Sequence, residues 1–240
     1  MTETPGMTGT PGTPTDTMTP EITPGTPLPR PTATACPMNF RDVDANNPFY
    51  NDIRYLYCAG VISGYTCGPQ CLEFRWGNNT TRGQLTKIVV LAMQWPISTP
   101  TTPSFKDVPA SDPFFQFVET AVSHNIISGY DCGGPGEPCP GRYFRPGNNV
   151  TRGQLSKIVV GAMGWTDEPP GGPHFADVGT TNPFYREIER AAAHGIISGY
   201  NCGGPTEPCD PQGRNYFRWG NNATRGQISK IVHLAVIQRP

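Results

Sequence analysis

Three arginines, Arg82, Arg152 and Arg225, each stand second in a Thr-Arg-Gly-Gln tetrapeptide. A second set, Arg75, Arg145 and Arg218, lies seven residues earlier in Phe-Arg-Trp-Gly or Phe-Arg-Pro-Gly. A guanidinium offers a planar fork of donors that matches carboxylate or phosphate oxygens, and the backbone N–H groups of a helix N-terminus favour the same ligands. The chemistry these residues point to is recognition of an anion. Flat aromatic faces and open backbone recur beside them. Tyr65, Tyr130 and Tyr200, with Trp76 and Trp219, offer flat faces, and Gly64, Gly129 and Gly199 allow close approach of a ligand to backbone. In the middle copy Pro146 stands where the others have tryptophan.

Catalytic groupings do not recur in this way. Of His124, His174, His194 and His233, only His124 and His194 occupy equivalent positions. No Ser/His/Asp or Cys/His set repeats, and no acidic pair stands out for glycoside hydrolysis. The expectation is a non-catalytic protein with no metal and no cofactor.

The elements that must position the arginines are spelled locally. Thr81 with Gln84, Thr151 with Gln154, and Thr224 with Gln227 are capping boxes, each opening a helix at the arginine. Leu155, Ile158, Val159, Ala162 and Met163 then follow helical spacing. An earlier helix is predicted to open at Asn47-Pro48, Asp112-Pro113 and Asn182-Pro183, with the Asn or Asp as N-cap. The third of these helices runs through Phe184, Ile188 and Ala191 to a terminal Gly195. Asp42, Asp107 and Asp177, in Phe-x-Asp-Val, read as turn or capping residues, and Trp95 and Trp165 as core. The sequons at Asn78, Asn79, Asn149 and Asn222 overlap the caps and read as accidental. The whole pattern occurs three times, as helix, long loop, helix, and three stacked units make an adequate core. The predicted divisions are a tail at 1–37 and repeats at 38–98, 99–168 and 169–240.

Composition agrees with a loop-rich chain. Gly and Pro number 28 each in 240 residues, and only 15% are charged. Glycine is not every third residue, which excludes collagen, and the apolar runs exclude wholesale disorder. No stretch reaches a membrane span, and a net charge of −1 gives no sign of nucleic acid as a partner. Residues 1–35, with twelve threonines and eight prolines, are expected to be extended, as an O-glycosylated stalk or a plain linker. The first residues lack a basic-then-apolar leader, so a secretory signal has been removed or omitted, or the chain comes from a longer precursor.

The eight cysteines pair by proximity: Cys67 with Cys71, Cys132 with Cys139, Cys202 with Cys209, leaving Cys36 for Cys58. Disulfides imply an oxidising, extracellular compartment. The alternative is zinc, although its usual C-x2-C spacing is not present.

The recurring F-x-D-V, (V/I)-I-S-G-Y, F-R-(W/P)-G-N-N and T-R-G-Q segments resemble the S-layer homology domain, in three tandem copies over residues 40–238. The resemblance implies a mainly α fold: a pseudo-threefold bundle with grooves between repeats, attached non-covalently to cell-wall polysaccharide, typically pyruvylated, on a prokaryotic surface. The family's helix begins T-R-A-E, and its arginine meets the anionic sugar, which carries over to Arg82, Arg152 and Arg225. Here Gly-Gln replaces Ala-Glu and the carboxylate is lost. The alternative is a self-assembling subunit of an extracellular filament or S-layer, its Thr/Pro tail docking on neighbouring copies.

Overall fold

The computed structural model describes residues 36–168 and 171–239, so expectations for residues 1–35 lie outside the described residues. In chain order the elements are α1 (Tyr50–Cys58), β1 (Tyr65–Gly68), β2 (Cys71–Glu73), α2 (Arg82–Met93), α3 (Phe115–Ser123), β3 (Tyr130–Asp131), β4 (Arg142–Tyr143), α4 (Arg152–Met163), α5 (Tyr185–Ala193) and α6 (Arg225–Val236). The fold is mainly helical. No helix among the described residues is long and apolar enough to cross a membrane.

The three capping boxes form as spelled. In each, the threonine side chain accepts from the glutamine N–H while the glutamine side chain accepts from the threonine N–H. The helices they open are buried on more than one side, because α2, α4 and α6 pack against one another. Leu85, Leu155 and Ile228 are fully buried there. Thr86, Ser156 and Ser229 are buried too, and each hydroxyl donates to the arginine carbonyl one turn back.

The first helix of each repeat starts later than the Asn/Asp-Pro signal predicts, at Tyr50, Phe115 and Tyr185. The side chains of Asn47, Asp112 and Asn182 accept from the N–H two residues on, at Phe49, Phe114 and Phe184. These are Asx turns, and the proline occupies the turn rather than the first helical position. Gly195 follows the end of α5 with φ +67°, as expected of a terminal glycine.

Helix pairing crosses the repeats. α3 packs on α2, α5 on α4, and α1 on α6 at the far end of the chain. The glycine of Thr-Arg-Gly-Gln makes this contact possible. A Cβ on Gly83 would lie 2.6 Å from the Phe114 ring, one on Gly153 2.6 Å from Phe184, and one on Gly226 2.5 Å from Phe49. The exchange of Ala for Gly in this tetrapeptide therefore has a packing reason.

Backbone bonds tie the segments before the capping boxes into a closed cycle. Thr80 N–H donates to the Ala223 carbonyl, Ala223 N–H to Val150, and Val150 N–H to Thr80, at 3.0, 2.9 and 2.9 Å. All four disulfides form with the partners expected from spacing. Three of them staple the loops that follow Tyr65, Tyr130 and Tyr200, where short antiparallel pairings bring Tyr65 opposite Glu73, Tyr130 opposite Tyr143, and Tyr200 opposite Tyr216.

Candidate functional site

The site is built from one carboxylate outward. Asp107 accepts from the backbone N–H groups of Phe144 and Arg145 at 2.8 and 2.6 Å. Asp42 does the same for Phe74 and Arg75, and Asp177 for Phe217 and Arg218. These bonds hold Arg75, Arg145 and Arg218 at φ near +60°, a left-handed turn that few side chains adopt without support. The expected turn role of the three aspartates is what the structure shows.

That turn aims the Phe144 carbonyl at the neighbouring repeat. Arg82 donates its Nε–H to it at 2.9 Å, Arg152 donates to Phe217 at 2.8 Å, and Arg225 to Phe74 at 2.7 Å. Each arginine of Thr-Arg-Gly-Gln thus enters the loop of the next repeat, and the third reaches back to the first. Each guanidinium also lies over two rings: Arg82 over Tyr130 and Phe144, Arg152 over Tyr200 and Phe217, Arg225 over Tyr65 and Phe74.

The other arginines complete the cluster. Arg145 lies 4.3 Å from the Tyr130 ring centre, Arg218 4.0 Å from Tyr200, and Arg75 4.8 Å from Tyr65. Tyr65, Tyr130 and Tyr200 therefore each have two guanidiniums over the ring, and those faces are already engaged. The tyrosine hydroxyls accept from the capping glutamines: Gln84 to Tyr65 at 3.2 Å, Gln154 to Tyr130 at 3.0 Å, and Gln227 to Tyr200 at 2.7 Å. Each glutamine serves the cap through its side-chain oxygen and the tyrosine through its side-chain N–H.

Charge is unevenly compensated. Arg145 makes two bonds of 2.6 Å to Glu137, and Arg218 two of 2.7 Å to Glu207, which hold both carboxyls below the usual carboxylate range. Arg75 has a single 3.4 Å contact with Glu73. Arg82, Arg152 and Arg225 are only 6–7% exposed and form no ion pair among the described residues. Burial pushes all three guanidinium pKa values down. The terminal nitrogens of Arg82 and Arg152 have no hydrogen bond to a described residue, whereas those of Arg225 donate to Tyr65 and the Ser63 carbonyl.

The helix N-termini are occupied. Arg82 and Gly83 N–H donate to the Asn148 and Pro146 carbonyls, Arg152 and Gly153 to Asn221 and Trp219, Arg225 and Gly226 to Asn78 and Trp76. The expected contribution of these N–H groups to an anion site is corrected: they close the repeats on one another. Because the residue at 76, 146 and 219 serves through its carbonyl, tryptophan and proline are interchangeable in that role.

Two grooves open at equivalent places. One of about 440 Å³ is walled by Ile126, Ile127, Ser128, Gly129 and Tyr130, with Arg82, Gln154 and Lys157 at its edges and Phe184 opposite. Its counterpart, about 200 Å³, has Ser63, Gly64, Tyr65, Arg225, Gln84 and Lys87. Gly64, Gly129 and Gly199 are needed by the fold, since a Cβ there would meet Phe40, Phe105 or Phe175 within 2.7 Å. Neither Trp76 nor Trp219 lines these two grooves; each packs against a neighbouring Phe, Phe49 or Phe184, about 6 Å away.

Sequence reasoning passed over Lys87 and Lys157, exposed at the groove edges, and their counterpart Lys230. The signal was available: lysine follows the capping glutamine by three residues in every copy, which places both on one helix face. The S-layer homology domain family model matches residues 104–156 and 174–206. These segments include Arg145 and Arg152 with Tyr130 and Tyr200. Comparison with curated proteins gave no significant match.

Proposed function

This chain is an S-layer homology domain protein, and from that premise we propose that it anchors at a prokaryotic cell surface by holding an anionic cell-wall polysaccharide in the grooves between its repeats. In this reading the domain acts as a binding and anchoring module rather than a catalyst. The observation that carries the reading is the set of three buried guanidiniums with no carboxylate partner among the described residues. A buried cation is costly unless paired, and an incoming carboxylate or pyruvyl group supplies the missing charge. In this reading Arg82 and Arg152 direct their free terminal nitrogens to the anion, and Arg225 adds a third site. Lys87, Lys157 and Lys230 supply a second charge, and the backbone of the (V/I)-I-S-G-Y segments borders the sugar. Arg75, Arg145 and Arg218 fix the tyrosine on which the groove arginine rests.

The same reading takes the chain as three repeats, at 38–98, 99–168 and 169–240, arranged as a pseudo-threefold bundle behind a tail at 1–37. Co-sedimentation with purified cell walls tests the function. Exposed Lys87, Lys157 and Lys230, all changed to Gln, should weaken binding about tenfold, or ~1.4 kcal/mol. Arg82, Arg152 and Arg225 changed together to Gln should abolish it. Wall binding that survives both sets unchanged rules the mechanism out. The filament reading rests on residues 1–35, which the structure does not describe.

A further inference from the structure

The third repeat has a pocket of about 560 Å³ that is separate from the two inter-repeat grooves. One wall is the stapled loop Gly204-Pro205-Thr206-Glu207, and the other is Tyr216, Trp219 and Asn221. Its walls combine a long disulfide loop with a tryptophan after the Phe-Arg pair. The first repeat has Trp76 but only the short Cys67–Cys71 loop. The second has the long Cys132–Cys139 loop, but Pro146 replaces the tryptophan. Only the third repeat combines Cys202–Cys209 with Trp219.

The charges lining this pocket are already satisfied. Both Glu207 oxygens are held by Arg218, and both Asp177 oxygens accept backbone N–H groups. Two carboxylates against one guanidinium leave the lining slightly negative, which opposes an anionic ligand. By contrast, the exposed Thr206 hydroxyl and Asn221 carboxamide have no hydrogen bond to a described residue. Two aromatic side chains, neutral polar groups free to bond, and internally paired charges match an uncharged polyol ring, whose C–H face packs on an indole while its hydroxyls bond at the edge.

We propose that this pocket is a subsite for a neutral sugar residue, distinct from the anion-binding grooves. The proposal does not depend on the grooves, because none of Arg82, Arg152 and Arg225 lines the pocket.

The test uses the full chain and the indole N–H resonances of its four tryptophans, with that of Trp219 assigned from Trp219→Phe. The probes are cellotriose, chitotriose, mannotriose and galactotriose, with trigalacturonate as the anionic comparison. At least one neutral trisaccharide should shift the Trp219 resonance with roughly millimolar affinity. Trigalacturonate should not. Thr206→Arg, an exposed change that fills the pocket, should remove the shift and leave the other three indole signals in place. Pro146→Trp should create a second responsive indole in the second repeat, beside Glu137 and its stapled loop. The proposal is overturned if no neutral probe moves the Trp219 signal, if trigalacturonate moves it equally, or if Thr206→Arg leaves the response intact. The Lys87, Lys157 and Lys230 changes lie outside this pocket and should leave its readout in place, so failure here is distinguishable from failure of wall anchoring.

Discussion

The hydroxyl of Thr80 is buried where the three capping segments meet, and it has no partner among the described residues. Val150 and Ala223 hold the equivalent places in the backbone cycle. Thr80→Val keeps the shape and removes an unsatisfied polar group, so denaturant unfolding should show a gain of about 1–2 kcal/mol. Glycine makes the opposite case. Gly83→Ala drives a methyl into the Phe114 ring and should cost about 1–3 kcal/mol in the same assay. Gly77→Ala, with nothing within 4 Å of the new Cβ, should change little. At the arginine pairs, Glu137 and Glu207 have folded-state pKa values below the ordinary 4.5. Their stabilising contribution is therefore complete above that value and is lost as pH falls through the depressed folded value. Thermal melts of Glu137→Gln/Glu207→Gln should lie below the parent at pH 7 and converge with it in acid.

Elements tell which signals were legible. The capping boxes were readable because four consecutive residues contain both partners of both bonds. The disulfides were readable for the same reason, with three pairs separated by 4, 7 and 7 positions. The start of the first helix was misread by proline's double use, since Asn-Pro opens an Asx turn as readily as a helix. Loops of this length gain about 2–3 kcal/mol from a crosslink. Replacing Cys202 and Cys209 by Ser should therefore lower stability by that order in calorimetry. It should also weaken the neutral-sugar response, since the loop forms one wall of the pocket.

At the scale of the whole molecule, the packing unit differs from the sequence unit. The second helix of one repeat meets the first helix of the next. Trp95 stacks on His124 at 3.8 Å and Trp165 on His194 at 3.6 Å along two of these contacts. The third contact joins the ends of the chain through different residues: His233 stacks on Tyr55 at 4.2 Å and lies 2.7 Å from Asp52. A chain ending at residue 168 would leave α1 without α6 and Tyr65 without Arg225. It should lose cooperative unfolding, and adding a 169–240 fragment should restore it, as seen by chemical-shift dispersion. Independent folding of the shorter chain would show that the closing contact is dispensable.

The sequence by itself determined the two arginine sets, the caps, the aspartate turns, the crosslinks and the threefold recurrence, because each is written in residues close along the chain. Only the tertiary structure decided which repeat each arginine serves. Arg225 bonds the Phe74 carbonyl across 151 positions, and no local spacing encodes that choice. It also decided that the helix N–H groups and the tyrosine faces are used internally, which leaves the buried guanidiniums as the unpaired charge. Local hydrogen bonding fixes elements; closure of the ring by packing fixes what those elements have left to offer a ligand.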